Sequence, residues 1–321
     1  MNNTTRRRVL GQMLAIPPAL ATSCGQKAKG AERKLRFSYQ RSSTLLTILK
    51  TNGALEKKLA PLGYEVSWHL FANVIDPMNA GAVDFHADVA DAVPIFTQSA
   101  GAKLTLYAKE DPSPTAEAII VPDESSIRTI ADLKGKRIGV DKGSGCHFLL
   151  VAALKREGLT FKDIIPAYLP AADGAAAFKR GAIDAWVIWD PFLAITQTQA
   201  KVRIVADGTG FTSYYRYYTV NDEIVASRPE LVQLVFDLLV ETGQWVRGNR
   251  EEAAKILAPI WGDVPLTTIE AVNQRRSYSV RGIEKSALGE QQAIADTFFE
   301  AGLIPARLVT ADARIWTPAK G

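Results

Sequence analysis

The sequence predicts an α/β protein in which helices flank open, mostly parallel sheets in two lobes. Short apolar segments of strand length alternate with helical segments along most of the chain, and glycines or prolines stand at the joints. Of the 321 residues, those that follow residue 23 are enough for two packed lobes, each with its own apolar core. Two lobes imply a cleft, which is where proteins of this architecture bind ligands.

The first 23 residues predict an export signal that is removed from the working protein. Arg6, Arg7 and Arg8 precede an apolar run over 9–21 that contains two prolines and ends in small residues. A membrane-spanning helix needs about 20 consecutive apolar residues, so this run is too short to be one. We therefore expect a periplasmic protein.

Two routes of export and processing stay open. The stretch 5–10 resembles a twin-arginine signal, and 20–24 resembles a lipoprotein cleavage box that ends at Cys24. Acylation of Cys24 would attach the protein to the membrane through residues 24–34, which have the composition of a flexible tether. The alternative is a general secretory signal with ordinary cleavage nearby and no lipid.

Composition narrows the class of partner. The formal net charge of +4 falls to +1 once the three arginines of the signal are removed, and no basic stripe is present, so we expect no nucleic-acid partner. Cys24 and Cys146 are the only cysteines, and no intramolecular disulfide is possible if Cys24 is lipidated or lost. We expect a monomer without metal or cofactor.

The first series of strands and helices follows the tether. Its expected strands are 35–39, 66–71, 83–89 and 104–107, and its expected helices begin near 45 and span 77–82 and 93–100. A second series follows the apolar strand 118–122, with strands at 137–140, 165–169, 185–189 and 202–205 and helices at 144–157 and 172–180.

The rest of the chain is expected to return to the first lobe. The β-branched and aromatic segment 214–220 fits a return strand, and only helices are expected after it, at 230–248, 250–260, 266–278 and 285–301. The lobes are therefore predicted to be 35–119 together with 216–321, and 120–215.

Seven short motifs lie within residues 37–191, in a resemblance that runs over residues 35–318. They are FSYQ at 37–40, GAVD at 81–84, DAVPIF at 91–96, TIADLKGK at 129–136, KGS at 142–144, GAIDAW at 181–186 and WDP at 189–191. Their order resembles that of the aliphatic-sulfonate, taurine and nitrate binding proteins of bacterial ABC importers, and the second half of the set is most similar to the sulfonate subgroup.

The resemblance implies a type II periplasmic-binding fold, in which two crossover strands join two lobes that grip a ligand. It also implies that the protein captures an alkanesulfonate for sulfur acquisition and delivers it to a membrane permease with a cytoplasmic ATPase. Nitrate, taurine or a heterocyclic vitamin precursor are the alternative ligands.

Two turns are candidates for binding the anion, because ligands lie outside the carboxyl ends of strands in such sheets. Gln40, Ser42, Ser43 and Thr44 separate the first strand from the first helix, where hydroxyl and free backbone N–H groups can donate. A plain N-cap role for the hydroxyls is the alternative.

The second turn precedes the helix 144–157. Gly143 and Gly145 let the backbone approach a ligand, and the helix that begins at Ser144 presents its positive end to it. Cys146 is interpreted as a small buried side chain beside which no general base is evident, and His147 either donates to the ligand or packs in the core. We expect an anion to bridge the two turns.

The other candidates surround these turns. Trp189 offers an aromatic wall for an alkyl tail, Asp190 caps the helix that follows, and Tyr217 belongs to an aromatic group at the mouth. Asp88 and Asp91 would repel an anion, so either they cap the helix beginning near 93, the favoured role of Asp91, or one contacts an amine of a zwitterionic ligand.

An enzyme is the remaining alternative, since the thiamine-pyrimidine synthases resemble these binding proteins. Their cysteine-rich motif is absent from the sequence, and no metal cluster or Ser/His/Asp motif is recognisable. We therefore expect no catalytic residues.

Overall fold

A computed structural model describes residues 33–319, and within that part of the chain two separate sheets carry helices on their faces. The predicted signal, the tether up to residue 32 and Cys24 lie outside the described residues. None of the helices within 33–319 has the length and apolar character needed to cross a membrane.

The regular elements alternate along the chain as predicted. The strands are β1 (Arg33–Tyr39), β2 (Tyr64–Leu70), β3 (Val89–Ala90), β4 (Leu104–Glu110), β5 (Glu117–Pro122), β6 (Arg137–Val140), β7 (Ile165–Tyr168), β8 (Ala185–Trp189), β9 (Val202–Asp207), β10 (Arg216–Asn221), β11 (Val280–Arg281) and β12 (Arg314–Ile315). The helices are α1 (Thr44–Asn52), α2 (Ala54–Leu59), α3 (Ile75–Asn79), α4 (Val93–Ser99), α5 (Gly145–Arg156), α6 (Ala171–Lys179), α7 (Phe192–Gln199), α8 (Asp222–Ser227), α9 (Pro229–Gly248), α10 (Arg250–Leu257), α11 (Leu266–Arg275) and α12 (Leu288–Glu300).

The first sheet contains β11, β4, β10 and β3 in that order, with β12 paired to β4. β1 and β2 pair in parallel beside it, and Phe85 joins the two parts through single bridges to Phe37 and Val220. A large apolar core, which includes Phe37, Phe85 and Tyr218, lies between this sheet and the helices α1 and α9.

The second sheet has the order β7, β6, β8, β5, β9. β6 runs parallel to β7 and β8, whereas β5 runs antiparallel to β8 and β9. One of its cores packs Leu149 and Leu150 of α5 against Val140 of β6. Trp186 is buried in another core, on the opposite side.

The chain passes between the sheets twice. It leaves β4 for β5 through 111–116 and returns from β9 to β10 through 208–215. The two crossings lie side by side, because Ser113 N donates to Ser213 O at 3.0 Å and Gly208 N donates to Pro114 O at 3.0 Å. The proposed lobe boundaries at 119–120 and 215–216 fall close to these crossings and stay a prediction.

Three expectations about the elements are wrong. The sheets are mixed and not mostly parallel, because β5 and β10, which follow the crossings, run antiparallel to their neighbours. The C-terminal part contains β11 and β12, which both pair with β4. The expected strand 83–89 is reduced to Val89–Ala90. The backbone N–H groups of 84–87 donate to Arg36 O, Thr219 O and Ser38 Oγ and do not form a regular ladder with one strand.

Candidate functional site

A pocket lies where loops from both sheets meet. Gln40 follows β1, residues 141–145 follow β6, Trp189 ends β8 and Arg216 begins β10, and all of them line it. The β1, β6 and β8 contributions lie at the carboxyl ends of their strands, where α/β sheets bind ligands. The turns after β1 and β6 thus reach one pocket, as the sequence predicted.

The tip of α5 forms one wall. Ser144 is the N-cap, and its Oγ accepts from His147 N at 3.2 Å while donating to Asp141 O at 2.7 Å. A Cβ on Gly145 would lie 2.7 Å from Tyr214 Cε2 and 2.8 Å from Ala90 Cβ, so only glycine permits this approach between the second sheet's helix and the first sheet. The positive end of the α5 dipole therefore faces the pocket.

The turn after β1 contributes less than was predicted. Gln40 lines the pocket, whereas Ser42, Ser43 and Thr44 are buried beneath it. Ser43 is the N-cap residue of α1, but its Oγ accepts from Gln40 N at 3.1 Å and makes no bond to the helix. Thr44 Oγ1 lies 3.3 Å from the hydroxyl of Tyr278. These hydroxyls hold the turn in shape.

Arg216 is a lining residue that the sequence analysis did not single out. It is 3% exposed, and its Nε and Nη2 donate to Asp88 Oδ2 at 2.9 and 2.6 Å. Nη2 also donates to the backbone oxygen of Asp88, and Nη1 donates to the hydroxyl of Tyr214 at 3.3 Å. These bonds use four of the five guanidinium N–H groups, so one Nη1–H can reach a ligand.

Asp88 is therefore committed to Arg216 and does not line the pocket. Burial pushes the pKa of its carboxyl upward, but the charges of Arg216 and then Arg276 outweigh burial, and the pKa lies below its usual value. Arg276 in turn pairs with Glu110 at 2.8 Å. Two buried cations thus balance two buried carboxylates under the floor of the pocket, and the pocket gains no large net charge from them.

The opposite side is aromatic. Trp189 lines the pocket and packs edge-on against Phe192 at a centroid distance of 5.8 Å. Tyr214 also lines it, and its hydroxyl accepts from Arg216, which leaves its own proton to donate. Tyr217 is fully buried and lies outside the lining. Tyr214, in the same aromatic group, takes the position at the mouth that the site prediction gave to Tyr217.

Asp190 lies behind the pocket, before the start of α7. Its Oδ1 accepts from Ala194 N in the first turn of α7 at 3.1 Å, although Pro191 and not Asp190 is the N-cap residue of that helix. Arg275 of α11 donates to both carboxylate oxygens at 3.1 and 3.2 Å. Burial raises the pKa of this carboxyl to about 6, although Arg275 opposes the rise. Asp190 thereby ties α7 to α11.

Asp91 is buried near the pocket and short of partners. Asp91 was expected to cap α4, but Ala92 is the N-cap residue and no side chain caps that helix. Asp91 Oδ2 accepts from Thr212 at 3.3 Å and Oδ1 has no partner. Burial, together with the charge of Glu290, raises the pKa of Asp91 to about 7.

Cys146 is buried, as expected, but a carboxyl group lies beside it. Glu117 of β5 is fully buried, neither of its oxygens has a partner, and burial raises its pKa well above the usual value. Burial and then Glu117 raise the pKa of the Cys146 thiol. A protonated acid next to a protonated thiol provides neither a base nor a nucleophile.

His147 packs in the interior. Its Nδ1 accepts from Gly143 N at 3.1 Å, and its ring lies 5.2 to 5.7 Å from those of Phe161, Tyr168 and Phe298. Burial lowers its pKa to about 4, so the imidazole is neutral. Of the two roles left open for His147, the geometry favours packing. Within 33–319 no cluster of His, Cys, Asp and Glu could hold a metal ion.

Comparisons with known proteins show the family of this chain. A family model described as NMT1/THI5 like matches residues 71–253. The chain is 34% identical over 297 residues to the putative aliphatic sulfonates-binding protein of Escherichia coli (strain K12), which covers 91% of this chain and 92% of that protein.

Solved structures extend the comparison to the fold. The alkanesulfonate-binding protein of Xanthomonas axonopodis pv. citri bound to MOPS has a TM-score of 0.82 and 33% identity, covering 88% of this chain and 98% of that one. The periplasmic aliphatic sulphonate binding protein of Escherichia coli has a TM-score of 0.80 and 34% identity, covering 90% and 94%. The similarity therefore extends over most of the chain.

Proposed function

The chain belongs to the NMT1/THI5-like family, and from that premise we propose that it is the solute-binding component of an ABC importer for aliphatic sulfonates. Its fold is that of the periplasmic sulfonate-binding proteins, as the sequence analysis expected. Those relatives are binding proteins and not enzymes, and the protonated Glu117 and Cys146 offer no catalytic pair.

The observation that carries this proposal is the meeting of donors from both sheets in one pocket. The tip of α5, Gln40, the free hydroxyl proton of Tyr214 and the fifth N–H of Arg216 surround the same space. A sulfonate presents three oxygens that accept hydrogen bonds, and a helix end contributes about 0.3–1 kcal/mol on the surface and up to about 2 kcal/mol when partly buried. Several converging donors therefore bind the headgroup together.

The aromatic side of the pocket accounts for the alkyl part of the ligand. Trp189 gives apolar surface, and each square ångström of apolar surface removed from water contributes about 25 cal/mol. Sulfate and nitrate have no alkyl tail and bury none, so the pocket favours organic sulfonates over both ions.

We further propose that the protein is exported to the periplasm, acts as a monomer and delivers its ligand to a permease driven by an ATPase. The two lobes move about the crossings at 111–116 and 208–215 when the ligand bridges them. Attachment to the membrane through Cys24 is part of the same proposal and depends on which signal is cleaved.

The ligand is tested by thermal unfolding of the mature protein with an alkanesulfonate series, sulfate, nitrate and a heterocyclic vitamin precursor. A ligand at 100 times its dissociation constant adds about 2.7 kcal/mol to the free energy of unfolding. We expect stabilisation by the alkanesulfonates alone. Stabilisation by nitrate or the vitamin precursor, with none by any sulfonate, would refute the proposal.

The role of the contact between the sheets is tested by Gly145→Ala. The added methyl group collides with Tyr214 and Ala90, and such overpacking costs about 1–3 kcal/mol, or about 5- to 150-fold in affinity if the contact forms in the bound state. Gly289→Ala is the control, because nothing lies within 4 Å of a Cβ there. Calorimetry that gives equal sulfonate affinities for both variants would show that binding does not need this contact.

A further inference from the structure

Tyr214 holds a backbone conformation that residues with a side chain rarely adopt. Its φ is +49°, in the left-handed region, where the Cβ comes too close to the following carbonyl oxygen. Asp263 and Tyr278 are the other non-glycine residues with positive φ within 33–319. Of the three, only Tyr214 lines the pocket, and it lies in the crossing 208–215 from the second sheet to the first. The strain therefore lies where a movement of the two sheets would bend the chain.

The side-chain contacts of Tyr214 come from both sheets. Tyr214 forms a small apolar cluster with Ala90 of β3 and Ala116 of the other crossing, and Trp189 of β8 packs against that cluster. The ring also limits the approach of α5, since a Cβ on Gly145 would lie 2.7 Å from Tyr214 Cε2. Because β3 belongs to the first sheet and β8 and α5 to the second, the ring keeps all these contacts only while the sheets stay in this arrangement.

Hydrogen bonds at both ends of the residue complete the restraint. Tyr214 N donates to Thr212 Oγ1 at 2.9 Å, and the Tyr214 hydroxyl accepts from Arg216 Nη1 at 3.3 Å. A strained residue persists only where its surroundings over-determine its conformation. Part of these surroundings is the tip of α5 and the end of β8, so separating the sheets removes restraint and lets φ return to negative values.

We propose that Tyr214 is a positioning residue whose backbone is strained only while the two sheets enclose the pocket, and that it relaxes when they separate. The strain opposes closure, and a ligand that bridges the two sheets offsets it. Removing the strain therefore favours the closed arrangement and tightens ligand binding. This inference rests on the proposed function and adds to it the residue that sets how tightly the closed pocket holds its ligand.

The test compares Tyr214→Gly with Tyr214→Ala in the mature protein. Both variants lack the ring and the hydroxyl and lose the same contacts, but only glycine adopts a positive φ without strain. Calorimetry with butanesulfonate is expected to show about 5- to 30-fold tighter binding by Tyr214→Gly, which corresponds to the cost of about 1–2 kcal/mol for one left-handed residue. Tyr214→Asn and Tyr214→Thr are a second pair if the first does not fold, because asparagine tolerates the left-handed region and a β-branched residue does not.

Asp263 provides the matched control. Its φ is +55°, but it is exposed in the loop between α10 and α11 and does not line the pocket. Asp263→Gly should be more stable to urea than Asp263→Ala, and the two should bind butanesulfonate equally. A difference in stability without a difference in affinity is the result expected for a φ that is positive both with and without ligand.

The outcomes separate this inference from the proposed function. Equal affinities of Tyr214→Gly and Tyr214→Ala, weaker binding by the glycine variant, or the same affinity ratio at Asp263 would overturn the inference while sulfonate binding stands. If the parent protein binds no alkanesulfonate, the proposed function fails. X-ray scattering without ligand then decides the inference, as it does if both Tyr214 variants bind too weakly to measure. A more compact glycine variant would support it, and equal radii of gyration would overturn it.

Discussion

Asp91 makes the stability of this protein depend on pH in a way that one substitution should remove. Its carboxyl is fully buried, with Oδ1 unpartnered and only Thr212 donating to Oδ2. Burial and the charge of Glu290 raise its pKa from the ordinary 3.8 to about 7. Between those two values the folded protein holds a proton that the unfolded chain has released.

The sign and size of this pH dependence of stability follow from proton linkage. Because the folded state binds more protons, the free energy of unfolding falls as the pH rises from about 4 to about 7. About three pH units separate the two pKa values, and each is equivalent to about 1.4 kcal/mol, so the loss is about 4 kcal/mol. Asp91→Asn keeps the shape of the side chain and cannot ionise.

The assay is urea unfolding of both proteins at whole pH values from 4 to 8 and constant ionic strength. We expect Asp91→Asn to gain stability over the parent steadily between pH 4 and 7, reaching about 4 kcal/mol, and to gain no more above pH 8. Asp173→Asn, at an exposed acid, should follow the parent at every pH. A constant difference between Asp91→Asn and the parent would show that Asp91 ionises normally in the folded state.

Two further pairs of changes test the packing and charge balance around the site. Arg216→Met leaves Asp88 buried without its main partner and should cost about 3–5 kcal/mol by urea unfolding at pH 7. Arg36→Met removes the half-exposed pair with Asp84 and should cost about 1 kcal/mol or less in the same assay. Similar costs for the two variants would show that burial does not strengthen the inner pair. Gly243→Ala puts a Cβ 2.2 Å from Tyr278 O and should destabilise the protein by about 1–3 kcal/mol. Gly248→Ala, in the same helix but with open space around its Cβ, should stabilise the protein by up to about 1 kcal/mol. A stabilising Gly243→Ala together with a destabilising Gly248→Ala would contradict the packing of α9 on residue 278.

Local patterns in the sequence predict the elements well wherever the backbone forms a regular ladder or helix. The helix expected at 144–157 is α5, with Ser144 at its N-cap, and Trp189 ends the expected strand β8. The segment 83–89 is the informative exception. Val83, Phe85, Ala87 and Val89 are all buried, as their apolar character predicted, but the polar residues between them are buried too. The sequence pattern could not reveal that the backbone of this segment makes isolated hydrogen bonds to β1 and β10 and no continuous ladder.

The residues of the candidate site also divide into those that the sequence places correctly and those that it does not. Gln40 directly follows β1, Ser144 and Gly145 lie four and five residues after β6, and Trp189 ends β8, so the rule that ligands lie at the carboxyl ends of strands places them at the pocket. The hydroxyls at 42–44 lie three to five residues after β1, at a similar distance, yet the chain turns them inward, as it does His147 seven residues after β6. The path of each turn decides which side chains reach a ligand, and neither residue type nor distance from the strand end reveals that path.

Arg216 could have been found only through strand pairing. In a run of β-branched and aromatic residues its charge resembles that of a solvent-exposed position, and its partner Asp88 is 128 residues away in sequence. Once β10 is placed antiparallel to β3 with Arg216 opposite Ala90 and Tyr217 opposite Val89, Arg216 must lie next to the segment that carries Asp88. The return strand was predicted, but its register was not, and the register is what pairs Asp88, an acid that seemed unsuited to an anion site, with a cation that keeps a spare donor.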